Sequence, residues 1–193
     1  MSFLNFARND CSNPSRRAFL GESGLLLSAS AVGLLAGSQA LAADQKKTDG
    51  GNDVAILNSA LGSEREAITA YQLGADSGLL EPAVKIVALK FQGHHKAHAD
   101  LLAATVSKLG GRPVEARKKY DFPTEKLKNQ TDVLRFAAQL EQGAISAYLD
   151  AVPAFGNRDL AHAAASILGD EAMHWAILRN VLGEDPVPAA FVG

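Results

Sequence analysis

The chain has 193 residues, 47% of them hydrophobic and 21% charged, with a formal net charge of −2. That balance gives enough apolar side chain for one domain with a real core and no basic surface for nucleic acid or an anionic membrane. The one cysteine, Cys11, excludes a disulfide framework and a site built from several thiolates, so any metal centre here must use carboxylates and imidazoles.

The first 42 residues read as an export signal rather than as part of the fold. Ser15-Arg16-Arg17-Ala18-Phe19-Leu20 is a twin-arginine signature, followed by a weakly apolar run from Gly24 to Gly37 and by Ala40-Leu41-Ala42, an A-x-A cleavage pattern. The run is shorter than the ~20 apolar residues that span a bilayer. Export through the twin-arginine translocase to the periplasm or the extracellular side is expected; an uncleaved, membrane-tethered form is the alternative. That route carries folded proteins, often with cofactor in place, so metal choice could be made in the cytoplasm. Cleavage removes Arg8, Arg16, Arg17, Asp10 and Glu22 and leaves 16 basic against 19 acidic residues, net −3, which keeps nucleic acid excluded.

A polar linker over 43–52 leads into a predicted domain over 53–183. The first helix is expected from about Asp53, with Asn52 or Asp53 as N-cap, to the glycines at 74–78. It carries Glu64-Arg65-Glu66-Ala67-Ile68-Thr69-Ala70-Tyr71. The second starts at Pro82, suited to a first helical turn, and runs to Gly110-Gly111; it carries His94-His95-Lys96-Ala97-His98. Residues 110–130, with two prolines, read as a long crossover along the outside. The third helix runs from Asp132 to about Ala151, before Pro153, and carries Glu141-Gln142-Gly143-Ala144-Ile145-Ser146-Ala147-Tyr148. The fourth follows Asn157 as N-cap, ends at Gly183, and carries Asp170-Glu171-Ala172-Met173-His174. A tail over 184–193 closes the chain.

Two of these motifs repeat the other two. The pattern E-x-x-A-I-[ST]-A-Y recurs 77 residues apart, from Glu64 to Glu141, and His95 and His98 superpose on Glu171 and His174 at an offset of 76. One helical hairpin is therefore used twice. Val84, Val87, Ala88 and Phe91, and Leu160, Ala164, Ile167 and Leu168, keep helical spacing, and short links within each half with one crossover between them give an all-α antiparallel four-helix bundle. Glu171 and His174, at i and i+3, lie on one helical face. The motifs fall near the midpoints of their helices, so Glu64, His95, His98, Glu141, Glu171 and His174 can converge on the bundle axis, where buried charges need partners such as divalent cations. A salt-bridged polar layer without metal is the bland alternative. Glu66 is assigned to solvent, His162 to the surface or a half-buried position, and Met173 and Trp175 to core packing. His94, at i and i+4 from His98, competes with His95 as a ligand, and the repeat favours His95.

At these residues the chain resembles the ferritin-like superfamily of di-metal carboxylate proteins, which includes bacterioferritins, rubrerythrins and manganese catalases. In that family each half supplies a Glu from one helix and an E-x-x-H from the next. The resemblance implies Glu64, Glu141, Glu171, His98 and His174 as ligands of two iron or two manganese ions, with Glu171 bridging. It further implies that Tyr71 and Tyr148 support the site and that Asp170 orients a ligand histidine. The first half departs from the pattern: D-E-x-x-H is replaced by His94-His95-Lys96-Ala97-His98, so His95 is either a further ligand or an acid/base group, and His94 stands where the supporting aspartate would be. The function implied is redox chemistry on peroxide or dioxygen, in oxidative-stress defence or metal handling. An envelope metal-binding protein and a stress or scaffold protein without the chemistry are the alternatives. A ferritin cage is disfavoured, because about ten residues after Gly183 are too few for its fifth helix; a homodimer is common among relatives.

Overall fold

The computed structural model describes residues 50–192 and is all-helical over them. The export signal, its cleavage pattern and most of the 43–52 linker lie outside the described residues. Four long helices, α1 (Gly50–Asp76), α2 (Pro82–Lys108), α3 (Gln130–Ala151) and α4 (Arg158–Val181), form two hairpins, α1 with α2 and α3 with α4. Short 3-10 turns occupy Thr124–Lys126 in the crossover and Val152–Ala154 between α3 and α4. No described helix is long and apolar enough to cross a membrane.

The helix limits follow from local chemistry. Pro82 opens α2. Asn129 caps α3 by accepting from the Asp132 amide, while the Asp132 carboxylate reaches back to the Lys128 amide, so the helix starts two residues earlier than expected. Asn157 caps α4 through the Asp159 amide. α4 ends where Gly183 takes a φ of +75° and the Glu184 amide returns to the Arg179 carbonyl, a geometry that L side chains resist.

The start of α1 corrects the sequence reading. The helix already runs through Asn52 and Asp53, and neither caps it. Asp53 is instead buried and accepts hydrogen bonds from the amides of Gly156 and Asn157 at 2.8 and 3.2 Å, while the Asn52 amide group donates to the Ala154 carbonyl at 3.2 Å. Asp53 thus satisfies two amides just before a different helix, α4, and Asn52 a carbonyl in the link between α3 and α4, so together they tie the two hairpins at one end. Asp53→Ala is expected to cost about 3 kcal/mol, because two amides lose a charged acceptor. Urea unfolding measures this, and an unchanged midpoint would show that the tie is incidental.

The core consists of apolar layers above and below a polar one. Leu57, Leu61, Leu102, Val106 and Leu160 fill one end, with Tyr148, Ala164 and Ile167 beside them. Phe91, Ala88, Leu134, Ala138 and Leu178 fill the other, with Val84 and Val87 packed against them. The crossover lies on the outside as expected. Asn58 pins it by accepting from the Val114 amide and donating to the Arg112 carbonyl, and Phe122 packs edge-on to Phe136 of α3.

Met173 does not join this core; it is 59% exposed. It is two residues from Glu171, roughly 200° round the helix, so a Glu171 that faces the axis sends Met173 outward. Trp175 is partly buried against the Phe91 cluster, with the Arg179 guanidinium 4.9 Å over its ring.

Candidate metal centre

Between the apolar layers the four helices bring six side chains together. Glu64 comes from α1, His95 and His98 from α2, Glu141 from α3, and Glu171 and His174 from α4. All but His98 are buried to 3% exposure or less, and the His98 side chain is 14% exposed. Their ligand atoms form two groups, each within 4.8 Å: Glu64, His95, His98 and Glu171, and His95, Glu141, Glu171 and His174. The repeat in the sequence is therefore a repeat in space, with His95 and Glu171 shared by both halves.

His95 Nδ1 lies 2.8 Å from Glu64 Oε2, and its Nε2 lies 3.3 Å from Glu141 Oε1. His98 Nδ1 faces Glu171 Oε1 at 3.1 Å and Glu64 Oε2 at 3.6 Å. His174 Nδ1 faces Glu171 Oε2 at 3.4 Å and Glu141 Oε1 at 3.5 Å. The contacts of His98 Nδ1 and His174 Nδ1 lack hydrogen-bond alignment. Those two nitrogens, Glu141 Oε2 and both oxygens of Glu171 are buried without a hydrogen-bond partner. Buried polar atoms are nearly always paired, so five orphans in one layer leave donor atoms available to a ligand. Oxygen and imidazole donors without thiolate suit iron or manganese, and the residues fit a pair of such ions.

The supporting groups cross between the hairpins. The Tyr148 hydroxyl of α3 donates to Glu64 Oε1 of α1 at 2.6 Å, and reciprocally Tyr71 of α1 donates to Glu141 Oε1 of α3. Burial, with the facing carboxylates adding to it, pushes both phenols well above their ordinary range, so they remain donors. Asp170 serves both ligand histidines: its Oδ2 lies 3.4 Å from His98 Nε2 and 3.3 Å from His174 Nε2. Holding the outer nitrogens leaves both Nδ1 atoms facing inward.

The structure separates His94 from His95. His95 is at the centre, whereas His94 is 36% exposed at its side chain and stands outside, its Nδ1 3.0 Å from Asp170 Oδ2 and 2.9 Å from His174 Nε2. His94, Asp170 and His174 form a third, outer group of metal-capable atoms that shares His174 with the inner layer. His162 is exposed, as expected; Glu66 is half-buried rather than fully solvated, because it lines a groove between α1 and α3. Phe91 was assigned only to the core, yet its ring stacks on His174 at 4.0 Å between centroids. Its place one turn before the His94-His95 pair was the available signal.

Without metal the layer is an ion-pair network. Burial works against charge on the imidazoles, but the facing carboxylates outweigh it and raise His95 to about 10, His98 to about 11 and His174 to about 9. Burial also opposes charge on Glu64, Glu141 and Asp170, and the facing histidines outweigh it and lower all three. A histidine whose folded value is raised contributes stability that is full below its unfolded value near 6.5 and is lost as pH rises through the folded value. The lowered carboxylates contribute above their ordinary values and lose that contribution on acidification. The metal-free protein is therefore expected to lose stability from about pH 6.5 to about pH 11, and again below about pH 4. A urea midpoint of the metal-free protein that is flat or rises over the upper interval would contradict the network.

The sequence pattern of the ferritin-like domain family matches residues 52–184. Among solved structures, a conserved hypothetical protein from Mycobacterium tuberculosis is similar at 26% identity, over 75% of this chain and 99% of that one, with a TM-score of 0.65. A structure titled as ferritin-like, diiron-carboxylate proteins from Bacillus anthracis str. Ames is similar in fold at 22% identity, over 71% of this chain and 99% of that one, with a TM-score of 0.62. No curated protein matches the chain at a significant level. With its family pattern covering most of the chain, its four-helix fold, and a paired carboxylate and histidine layer at the bundle centre, this chain belongs to the ferritin-like domain family.

Proposed function

We propose that this chain is an exported di-metal protein that performs redox chemistry on peroxide or dioxygen, with two iron or two manganese ions held by Glu64, His95, His98, Glu141, Glu171 and His174. The observation that carries this reading is the set of five buried ligand atoms without hydrogen-bond partners, divided over two matching groups. Similarity in fold to a structure titled diiron-carboxylate supports the same reading. Bound redox metals would supply the electrons exchanged with the oxidant.

The chain's own residues would do the rest. Tyr148 and Tyr71 hold one oxygen each of Glu64 and Glu141, which limits how these carboxylates can turn. Asp170 fixes the imidazoles of His98 and His174 from behind. A groove of about 470 Å³ runs between α1 and α3, walled by Ala60, Ala67, Gly143, Ala144 and Ala147, with Glu64, His95 and Glu141 among its lining residues. Small side chains there admit an oxidant of two or three atoms. The twin-arginine motif at Arg16-Arg17 supports loading before export, which would let the cytoplasm select the metal.

Metal-loaded protein, assayed for peroxide consumption and dioxygen uptake, tests the proposal. Gly143 has open space where a Cβ would stand, so Gly143→Leu should narrow the groove and lower kcat/KM about tenfold at unchanged metal content. Full metal occupancy with no turnover of either oxidant would overturn the redox reading and favour metal holding in the envelope.

A further inference from the structure

Resting on the di-metal reading above, we infer that His95 coordinates both metals at once, one through each ring nitrogen, so that an imidazole bridge stands where a second carboxylate bridge would otherwise be. Three observations lead there. His95 and Glu171 are counterparts in the internal repeat, 76 residues apart. Each presents one atom to each half of the site. Glu171 turns Oε1 toward His98 and Oε2 toward His174. His95 turns Nδ1 toward Glu64 and Nε2 toward Glu141. The His95 side chain is 2% exposed, and the partners of both its nitrogens are carboxylates that are themselves ligand candidates.

An imidazole that served one metal would keep its other N–H pointed at a carboxylate that the second metal needs. With both nitrogens coordinated that conflict disappears, and the two halves become equivalent. Glu64, His98, His95 Nδ1 and Glu171 Oε1 surround one ion; Glu141, His174, His95 Nε2 and Glu171 Oε2 surround the other. On loading, the His95 ring gives up its N–H protons to solvent, so that each of its nitrogens has a lone pair for one ion.

The consequence is metric. Two metal–nitrogen bonds of about 2.1 Å on opposite sides of the ring put the ions about 6 Å apart, whereas carboxylate- and oxygen-bridged pairs are typically about 3.5–4 Å apart.

The test is anomalous diffraction from crystals of the full, exported chain loaded with cobalt(II). Two peaks about 6 Å apart, one beside each nitrogen of His95, are expected. His95→Glu should keep two ions and draw them to about 3.5–4 Å. Two peaks at that shorter spacing in the wild type, or a His95 ring on one ion only, would overturn the bridge and leave the di-metal reading standing. An unchanged long spacing in His95→Glu would also overturn it, since the ring would then not set the distance. One peak or none would instead defeat the di-metal reading and the bridge with it. If His95→Glu does not fold, the wild-type spacing decides alone.

Discussion

Glu171→Gln is expected to abolish loading of both metals while leaving the metal-free bundle folded, with its stability changed by no more than about 2 kcal/mol. Glu171 is 0% exposed, and neither of its oxygens has a hydrogen-bond partner. In the metal-free protein the substitution removes a buried carboxylate that lacks hydrogen bonds, which is favourable, and some attraction to His98 and His174, which is not. Those imidazoles keep Glu64, Glu141 and Asp170, so the opposing effects leave a small balance. Toward metal nothing offsets the loss, because Glu171 belongs to both ligand groups. Affinity should fall by more than the roughly 10–100-fold that losing an outer partner costs. Calorimetric titration with manganese(II), beside urea unfolding of the metal-free protein, reads both effects. Wild-type affinity in the variant would remove Glu171 from the site.

Leu61→Ala should give the reverse pattern, a loss of about 3–5 kcal/mol in stability with metal stoichiometry retained. Leu61 is as buried as Glu171, at 0% exposure, and packs with Leu57, Ala99, Leu102, Val106 and Leu160 in the apolar layer nearly one turn from Glu64. Truncation leaves a cavity between helices already fixed by their neighbours, so little collapse can offset it. Guanidinium or urea unfolding measures the loss, and a change below about 1 kcal/mol would show that this end of the bundle is loosely packed. Two residues of equal burial thus separate what holds the fold from what the fold holds.

Much of this was legible in the chain itself, because helical spacing reports faces and the internal repeat reports pairing. The offset of 76 between His98 and His174 was enough to choose His95 over His94 as the inner residue, and the structure places them on those sides. What spacing does not carry is the relative rotation and rise of helices from different hairpins. Tyr71 therefore could not be read as the partner of Glu141, or Tyr148 of Glu64, although both were expected beside the site. For the same reason Asp170 was expected to orient one histidine and contacts three. Asp53 was misread because an acidic residue near a helix start is commonly a cap. Here the helix extends past it, and its carboxylate serves the amides of Gly156 and Asn157 in the other hairpin. The groove between α1 and α3 depends on how far two nonsequential helices stand apart, which no local pattern encodes.

Elemental analysis of protein purified after its own export, beside the Glu171→Ala, His174→Ala double variant, shows whether the polar layer is a two-metal site. Two iron or manganese ions per chain, one for each ligand group, are expected, and their loss in the variant. Less than about 0.2 metal per chain, with the bundle folded and no uptake on reconstitution, would contradict a two-metal site and leave the layer as an ion-paired structural core.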